Sequence, residues 1–330
     1  MKGFNPNQAE IITLGMLVDK NHQYRKLLKL LNFLSLCKPI IKLNRDENTG
    51  GKEGYGIITL FKCIFLQFLE DLSDRQLERY LKENIAAKLF CGFNISDKTP
   101  HFSLFTKVRE RIGTSRLSKL FNKIQNNLKK SGYLLETFTF VDGTHIIRKN
   151  SLWEERDKAL AKKDKKLNNK TLSKVSHDKE ARIGCKGKNK YWYGYKSNIS
   201  VDMQSGLINK IALTPANITD AKALRYICPN NGAVYGDKGY CTSDATNEIK
   251  RRGCHNGTIK KNNMKGKNKD LDKWYSKLRS PYERVFSQLR KRTRYVGLVK
   301  NQFTMIFYGI IHNAKRMLKL SPEFKHENIV

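Results

Sequence analysis

After Gly132 the apolar residues fall into an order that admits few folds: three strand-like runs, then a helix, a strand, a helix, a strand and a last helix. TFTFVDGT is β-branched and aromatic and ends at an acid; GYKSNISVD and GLINKIALTP follow, joined by a turn from Asp202 to Gly206. TDAKALRYI is spaced as a helix, and GAVYGDKGY reads as the fourth strand. SDATNEIKRRG is a helix closed by Gly253, HNGTIKK the fifth strand, and SPYERVFSQLRKR opens the final helix. The expected product is a mixed five-stranded sheet in the order 3-2-1-4-5 with flanking helices.

That order is the one found in ribonuclease H-like α/β folds. The chain before it has another texture. YRKLLKLLNFLSLC, ITLFKCIFLQFLE, SDRQLERYLKENIAAKLF and TSRLSKLFNKIQNNLKK all carry apolar residues at helical spacing. Ser73 with Gln76 has the form of a capping box, and Gly132 is placed to stop the last of these helices. Two domains are expected: an all-α one over 1–131, for DNA binding or dimerisation, and an α/β one over 132–330. A Lys-rich insert, about 153–190, carries few apolar residues and is expected to stay mobile or to order only on nucleic acid.

Charge narrows the function. Lys and Arg number 64 against 30 Asp and Glu, a formal net charge of +34, so a polyanion is the natural partner. An AT-rich coding bias does not explain this, since it would raise Glu along with Lys. The seven cysteines include no CxxC pair and are odd in number, which reads as a reduced, intracellular protein and lacks the paired spacing of a zinc site. The N-terminus carries Pro and Glu where a signal peptide needs an apolar run, and Lys62 interrupts the apolar stretch from Ile57 to Leu69. No membrane span or secretion signal is expected.

A protein that cuts or joins a phosphodiester must bring several carboxylates to one point, where two divalent ions about 3.5 to 4 Å apart work together. Asp142 follows FTFV and Asp237 follows GAVYG, each flanked by glycine, and in a 3-2-1-4-5 sheet their strands are neighbours. Gly143 is expected to let a phosphate or metal approach the backbone. Each Asp alone reads equally well as a turn residue; their convergence is the argument. Asp202 fits the turn, Asp220 a helix cap and Asp244 a first helical turn, so none of the three is taken as catalytic. His145 reads as a structural histidine, and packing is the stronger account of Trp192, Tyr193 and Tyr195.

Glu283 has two readings. With Ser280 it forms a capping-box pattern, and with Arg279, Arg284, Arg290, Lys291, Arg292 and Arg294 around it, it is a lone acid in a field suited to phosphates. Lys238, beside Asp237, is a further candidate for contacting phosphates.

VDGTHI, YGDKGY and the block Arg279, three residues, Glu283, six residues, Arg290 resemble the DDE transposases of bacterial insertion sequences, in the IS-five-like branch of the IS-four/IS-five superfamily. GYKSNISVDMQSGLINKIALTPANITDAKAL is similar to that family's middle region, and FYGIIHNAKRML to its closing helix. LSDRQLERYLKENIAAKLFCGFNISDKTPHFSLFTKVRERIG is similar to its helical domain. The resemblance implies Asp142, Asp237 and Glu283 as the metal-binding and catalytic triad, with Arg279 and Arg290 on DNA phosphate. It implies two Mg²⁺, replaceable by Mn²⁺, cleavage at the inverted ends of an element, and 3′-hydroxyl transfer into double-stranded target DNA. A homodimer or larger assembly on DNA, in the cytoplasm with the nucleoid, goes with it. A family tyrosine three places before the Arg is replaced here by Ser276, next to Tyr275, and the gap from Asp237 to Glu283 is too short for a large β-rich insertion. Two other functions remain open on the residues alone: a ribonuclease H-fold nuclease or resolvase that cuts without joining, and a non-enzymatic basic nucleic-acid-binding protein.

Overall fold

A computed structural model of the chain describes residues 13–41, 54–148, 176–186, 190–262, 264–282, 285, 291–293 and 295–321. It divides into two compact units, Met1–Arg116 with Met317–Val330, and Leu117–Arg316. The division falls inside a helix, upstream of Gly132.

The first unit is helical: α1 (Leu14–Leu17), α2 (Gln23–Leu30), α3 (Phe33–Leu36), α4 (Ile57–Leu69), α5 (Asp74–Glu83), α6 (Ile85–Cys91) and the start of α7 (Phe102–Lys130). Its core is aromatic. Phe33 meets Phe65 and Phe90 edge-on at 5.6 and 5.5 Å, and Phe65 stacks on Phe90 at 5.7 Å. Such pairs add about 0.5–1.5 kcal/mol each beyond the area they bury. The capping box at Ser73 and Gln76 forms as the spacing requires. Asp74, next to it, pairs with Arg109 at 2.6 Å. Burial pushes the Asp74 carboxyl up, but hydrogen bonds from Arg109 and Gln67 outweigh it and hold the group below the ordinary range. Gly113, at φ 68°, breaks α7 where few residues but glycine are at ease.

The second unit is built on a seven-stranded mixed sheet: β1 (Phe138–Arg148), β2 (Arg182–Lys186), β3 (Lys190–Asp202), β4 (Ile208–Pro215), β5 (Ala233–Gly236), β6 (His255–Thr258) and β7 (Arg292–Thr293). β3 runs antiparallel to β1 and β4, while β5 is parallel to β1 and β6. The path β4-β3-β1-β5-β6 is the expected 3-2-1-4-5 order, the topology of a ribonuclease H-like fold. α8 (Asp220–Ile227) and α9 (Ser243–Arg251) cover one face, where Val141 and Val234 pack with Leu224, Ile227, Tyr240 and Ile249. On the other face Ile146, Tyr193, Tyr195 and Leu213 pack against Met305 of α11 (Leu298–Leu320). α11 also covers the free edge of β4: Asn313 accepts from Ile208 N–H and donates to its carbonyl, both at 2.8 Å, and Gln302 accepts from Leu213 N–H at 2.6 Å. An uncovered strand edge invites pairing with another chain.

Four features depart from the expectation. β1 does not stop at Asp142 but runs six residues further, because β3 pairs with it from Thr139 to Ile147. The Lys-rich insert is built, not mobile, at its end: β2 pairs with β3, and Ser176 and Asp178 are buried. The Asp178 carboxylate accepts from Tyr195 O–H, from Ala181 N–H at 3.2 Å and from Gly297 N–H at 3.1 Å, and lies 3.4 Å from Arg148 Nε. The earlier part of the insert, 153–175, lies outside the described residues. A helix not foreseen, α10 (Lys269–Arg279), precedes SPYERVFSQLRKR, capped by Asn268, whose side chain accepts from Asp270 and Leu271 N–H. Ser280–Tyr282 is a 3₁₀ turn following α10, Val285 is helical and Arg292 already lies in β7; where the helix over Val285 begins falls outside the described residues. Between Asp237 and Tyr282 the described residues hold a 3₁₀ turn, α9, β6 and α10, with no β-rich insertion.

Candidate active site

The parallel pairing of β1 with β5 sets the site. Phe138 lies opposite Ala233, Thr139 opposite Val234 and Phe140 opposite Tyr235. Carried two residues on, this register sets Asp142 beside Asp237, whose backbone is still extended at φ −74° and ψ −177°. Neighbouring strands lie about 4.8 Å apart, so the two acids occupy adjacent positions. Alternation puts both on the face of Phe140 and Tyr235, opposite Val141 and Val234. That face is also where Tyr235 meets Tyr275 of α10, ring centroids 5.4 Å apart, and Tyr282 donates a hydrogen bond to the Met203 carbonyl. Two residues that precede Glu283, Tyr275 and Tyr282, thus pack on the unit that carries both acids. Glu283 itself, with Arg284, Arg290 and Arg294, lies outside the described residues, as does the Arg279 side chain.

Each acid is oriented by a glycine. Gly143 N–H donates to Asp142 Oδ1 at 2.8 Å, and Gly239 N–H donates to Asp237 Oδ1 at 2.8 Å, the latter at the head of a 3₁₀ turn over Lys238–Tyr240. Gly143 is glycine for a reason other than the expected one. A Cβ there would lie 2.7 Å from Asp220 Oδ1, 3.1 Å from Lys196 Cδ and 3.2 Å from Asn198 Oδ1, so protein, not phosphate, fills the space above it.

The remaining candidates separate clearly. Lys238 is exposed one residue beyond Asp237, its Nζ 3.4 Å from Asn262 Oδ1, and Lys291 is exposed beside the end of β1, its carbonyl accepting from Ile147 N–H. Asp202 is a turn residue, accepting from Ser205 N–H at 2.8 Å and Oγ at 2.7 Å. Asp244 lies in the first turn of α9. His145 lies on the opposite face from Asp142, its ring 5.7 Å from Trp192; burial, then Lys291 and Lys186, push its pKa down. Trp192, Tyr193 and Tyr195 are buried and serve packing. Asp220 caps no helix with its own side chain, since Thr219 accepts from Lys222 N–H; it pairs with Lys196 at 2.9 Å. No sequence signal joined Asp220 and Lys196 to the two acids, because only the fold brings α8 over β1.

Two adjacent carboxylates suit a hard divalent cation, which binds oxygen and takes one or two protein acids alongside substrate phosphates. Among the described residues no group of three His, Cys, Asp or Glu side chains is placed to hold a metal. The profile of the family described as Transposase DDE domain matches residues 134–314, more than half of the chain. The chain belongs to the DDE transposases. A second profile, Transposase domain (DUF772), matches residues 13–111 of this transposase. The chain is also similar, with a TM-score of 0.45 and 9% identity over 96% of its length and 79% of the other chain, to a structure described as "Cryo-EM structure of piggyBac transposase synaptic complex with hairpin DNA (SNHP)". A DDE transposase is an enzyme of DNA transposition whose family implies dependence on divalent metal. Among its described residues no helix is long and apolar enough to cross a membrane.

Proposed function

We propose that this transposase cuts DNA at the inverted ends of its element and joins the freed 3′-hydroxyl to a target duplex, using Asp142, Asp237 and Glu283 as its acid triad. The observation that supports the proposal is the β1–β5 register, which, extended by two residues, brings the Asp142 and Asp237 positions opposite each other on the strand pair whose Tyr235 meets α10. Asp142 and Asp237 would hold Mg²⁺, two ions with Mn²⁺ as a substitute, and Glu283 would complete the set. The ions, when bound, supply Lewis-acid activation and charge stabilisation at phosphorus. The chain's own part is to keep both Asp carboxylates oriented through the Gly143 and Gly239 N–H groups, and to hold DNA phosphates in line. Lys238 and Lys291, both exposed, are suited to that holding, and Arg279, Arg284, Arg290 and Arg294 are assigned to it by their place around Glu283.

Cleavage and joining are both in-line displacements at phosphorus, so one geometry serves both. The domain over 132–330 is assigned to this chemistry, and the helical domain over 1–131 to end binding or to pairing two copies on DNA. The test uses a supercoiled donor plasmid carrying the element's ends, with Mg²⁺. The unaltered chain should nick it and yield joined products; Asp142→Asn should bind the ends and do neither. Nicking by the purified Asp142→Asn variant would remove the triad, and hydrolysis without joined products would leave only a nuclease.

A further inference from the structure

One carboxylate, that of Asp220, lies against both glycines that orient the paired acids. A methyl group built on Gly143 would sit 2.7 Å from Asp220 Oδ1, and one built on Gly239 would sit 3.6 Å from Asp220 Oδ2. These are the two residues whose N–H groups donate to Asp142 and Asp237. The Asp220 carboxylate therefore fills the space over both β1 and the turn after β5, the two segments whose separation sets the distance between the acids.

Asp220 is itself held firmly. It lies in the first turn of α8, and Lys196 of β3 pairs with its Oδ1 at 2.9 Å while donating to the Ile218 carbonyl at 3.0 Å. The Lys196 stem closes over Gly143 from the other side, and its side chain is only 11% exposed.

Asp220 does not share the face of Asp142. Asp142 faces the side of Phe140 and Tyr235, whereas the space above Gly143, next in the strand, opens to the α8 side where Asp220 sits. Its action therefore runs through the backbone. We propose that Asp220, held by Lys196, is a positioning residue that fixes the peptide segments at Gly143 and Gly239 and so sets the separation of Asp142 and Asp237. This rests on the reading of those two acids as the metal-holding pair. Outer groups that orient metal-binding side chains commonly change metal affinity 10–100-fold when removed.

The test reads metal binding directly, by Mn²⁺ titration of the full chain followed by electron paramagnetic resonance, alongside its thermal midpoint. Asp220→Asn keeps the shape that lies over both glycines and an oxygen facing Lys196, so it should stay within about threefold of the unaltered affinity. Asp220→Ala opens the gap and should weaken Mn²⁺ binding about tenfold or more. If Asp220→Ala fails to fold, Gly143→Ala, which pushes on the same contact from the strand side, should weaken binding to a similar degree in a chain that keeps its circular dichroism. Asp220→Asn as damaging as Asp142→Asn would make Asp220 a direct ligand and overturn the proposal. Unchanged Mn²⁺ affinity in Asp220→Ala, or in folded Gly143→Ala, would reduce the contact to packing and overturn it too. Unchanged affinity in Asp142→Asn would instead remove the site reading on which the proposal stands.

Discussion

Replacing Asp178 by Asn should unsettle the α/β unit more than any other isosteric change outside the acid pair. Asp178 is 1% exposed, and its carboxylate receives both contacts of the Tyr195 hydroxyl, at 2.8 and 2.9 Å, the N–H groups of Glu180, Ala181 and Gly297, and the Arg148 guanidinium. Burial and then Asp178 raise the pKa of Tyr195, so the phenol stays a donor throughout the working range. An amide fills the same volume but offers one acceptor oxygen, turns an NH₂ toward groups that are themselves donors, and removes the negative charge beside the buried Arg148 guanidinium. Breaking a buried pair in this way costs about 3–5 kcal/mol. For a unit of the size of Leu117–Arg316 that is a fall of about 6–20 °C in Tm. Tyr195→Phe removes only the hydroxyl's contacts and should cost about 1.5–3 kcal/mol. Because the two share one network, the double variant should lose less than the sum. Scanning calorimetry of the four chains measures all of this. A fall below about 2 °C for Asp178→Asn, or strict additivity, would refute the view that this carboxylate ties the end of the insert to β1, β3 and the start of α11.

Asn313→Ala strips the cover from the β4 edge, leaving the Ile208 N–H and carbonyl without their partner; about 1–3 kcal/mol of stability should go, with concentration-dependent association by light scattering. Phe90→Ala removes a fully buried ring from the helical unit and should cost about 3–5 kcal/mol, read as a shift of that unit's calorimetric transition with the α/β transition held in place. Both His145 and His312 have their pKa lowered, chiefly by burial, with Lys291 and Lys186 adding at the first and Arg316 and Lys315 at the second, where the Gly206 carbonyl pulls the other way. The unfolded chain then takes up those protons at higher pH than the folded chain does. Stability should be full above the ordinary histidine pKa of about 6.5 and decline as pH falls below it, and His312→Gln should flatten that decline in a Tm against pH series.

The sheet was readable because its strands carry β-branched and aromatic residues between strong turn signals, and because their order along the chain leaves one economical arrangement. That Asp142 and Asp237 fall on or just past neighbouring strands was readable for the same reason. The extent of β1 was not, since THIIR suits a strand as well as a loop and only the pairing with β3 decides it. β2 was hidden in a segment whose lysines mask two buried anchors, Ser176 and Asp178, and α10 in a stretch whose two acids and exposed Trp274 blur any apolar stripe. Asp220 sat in a position that any helix start would welcome, so its local role concealed its contact with two glycines far away in sequence.

β1 is bonded along one side to β3 and along the other to β5 and then β7. A strand braced on both sides has no local way to open; its amides exchange with solvent only when the sheet comes apart. Asp142 lies between those two pairings, where β3 alone braces it through Ile199, so its backbone should exchange only as the β1–β3 ladder opens. Whatever rearrangement accompanies DNA must then be carried by elements outside this strand.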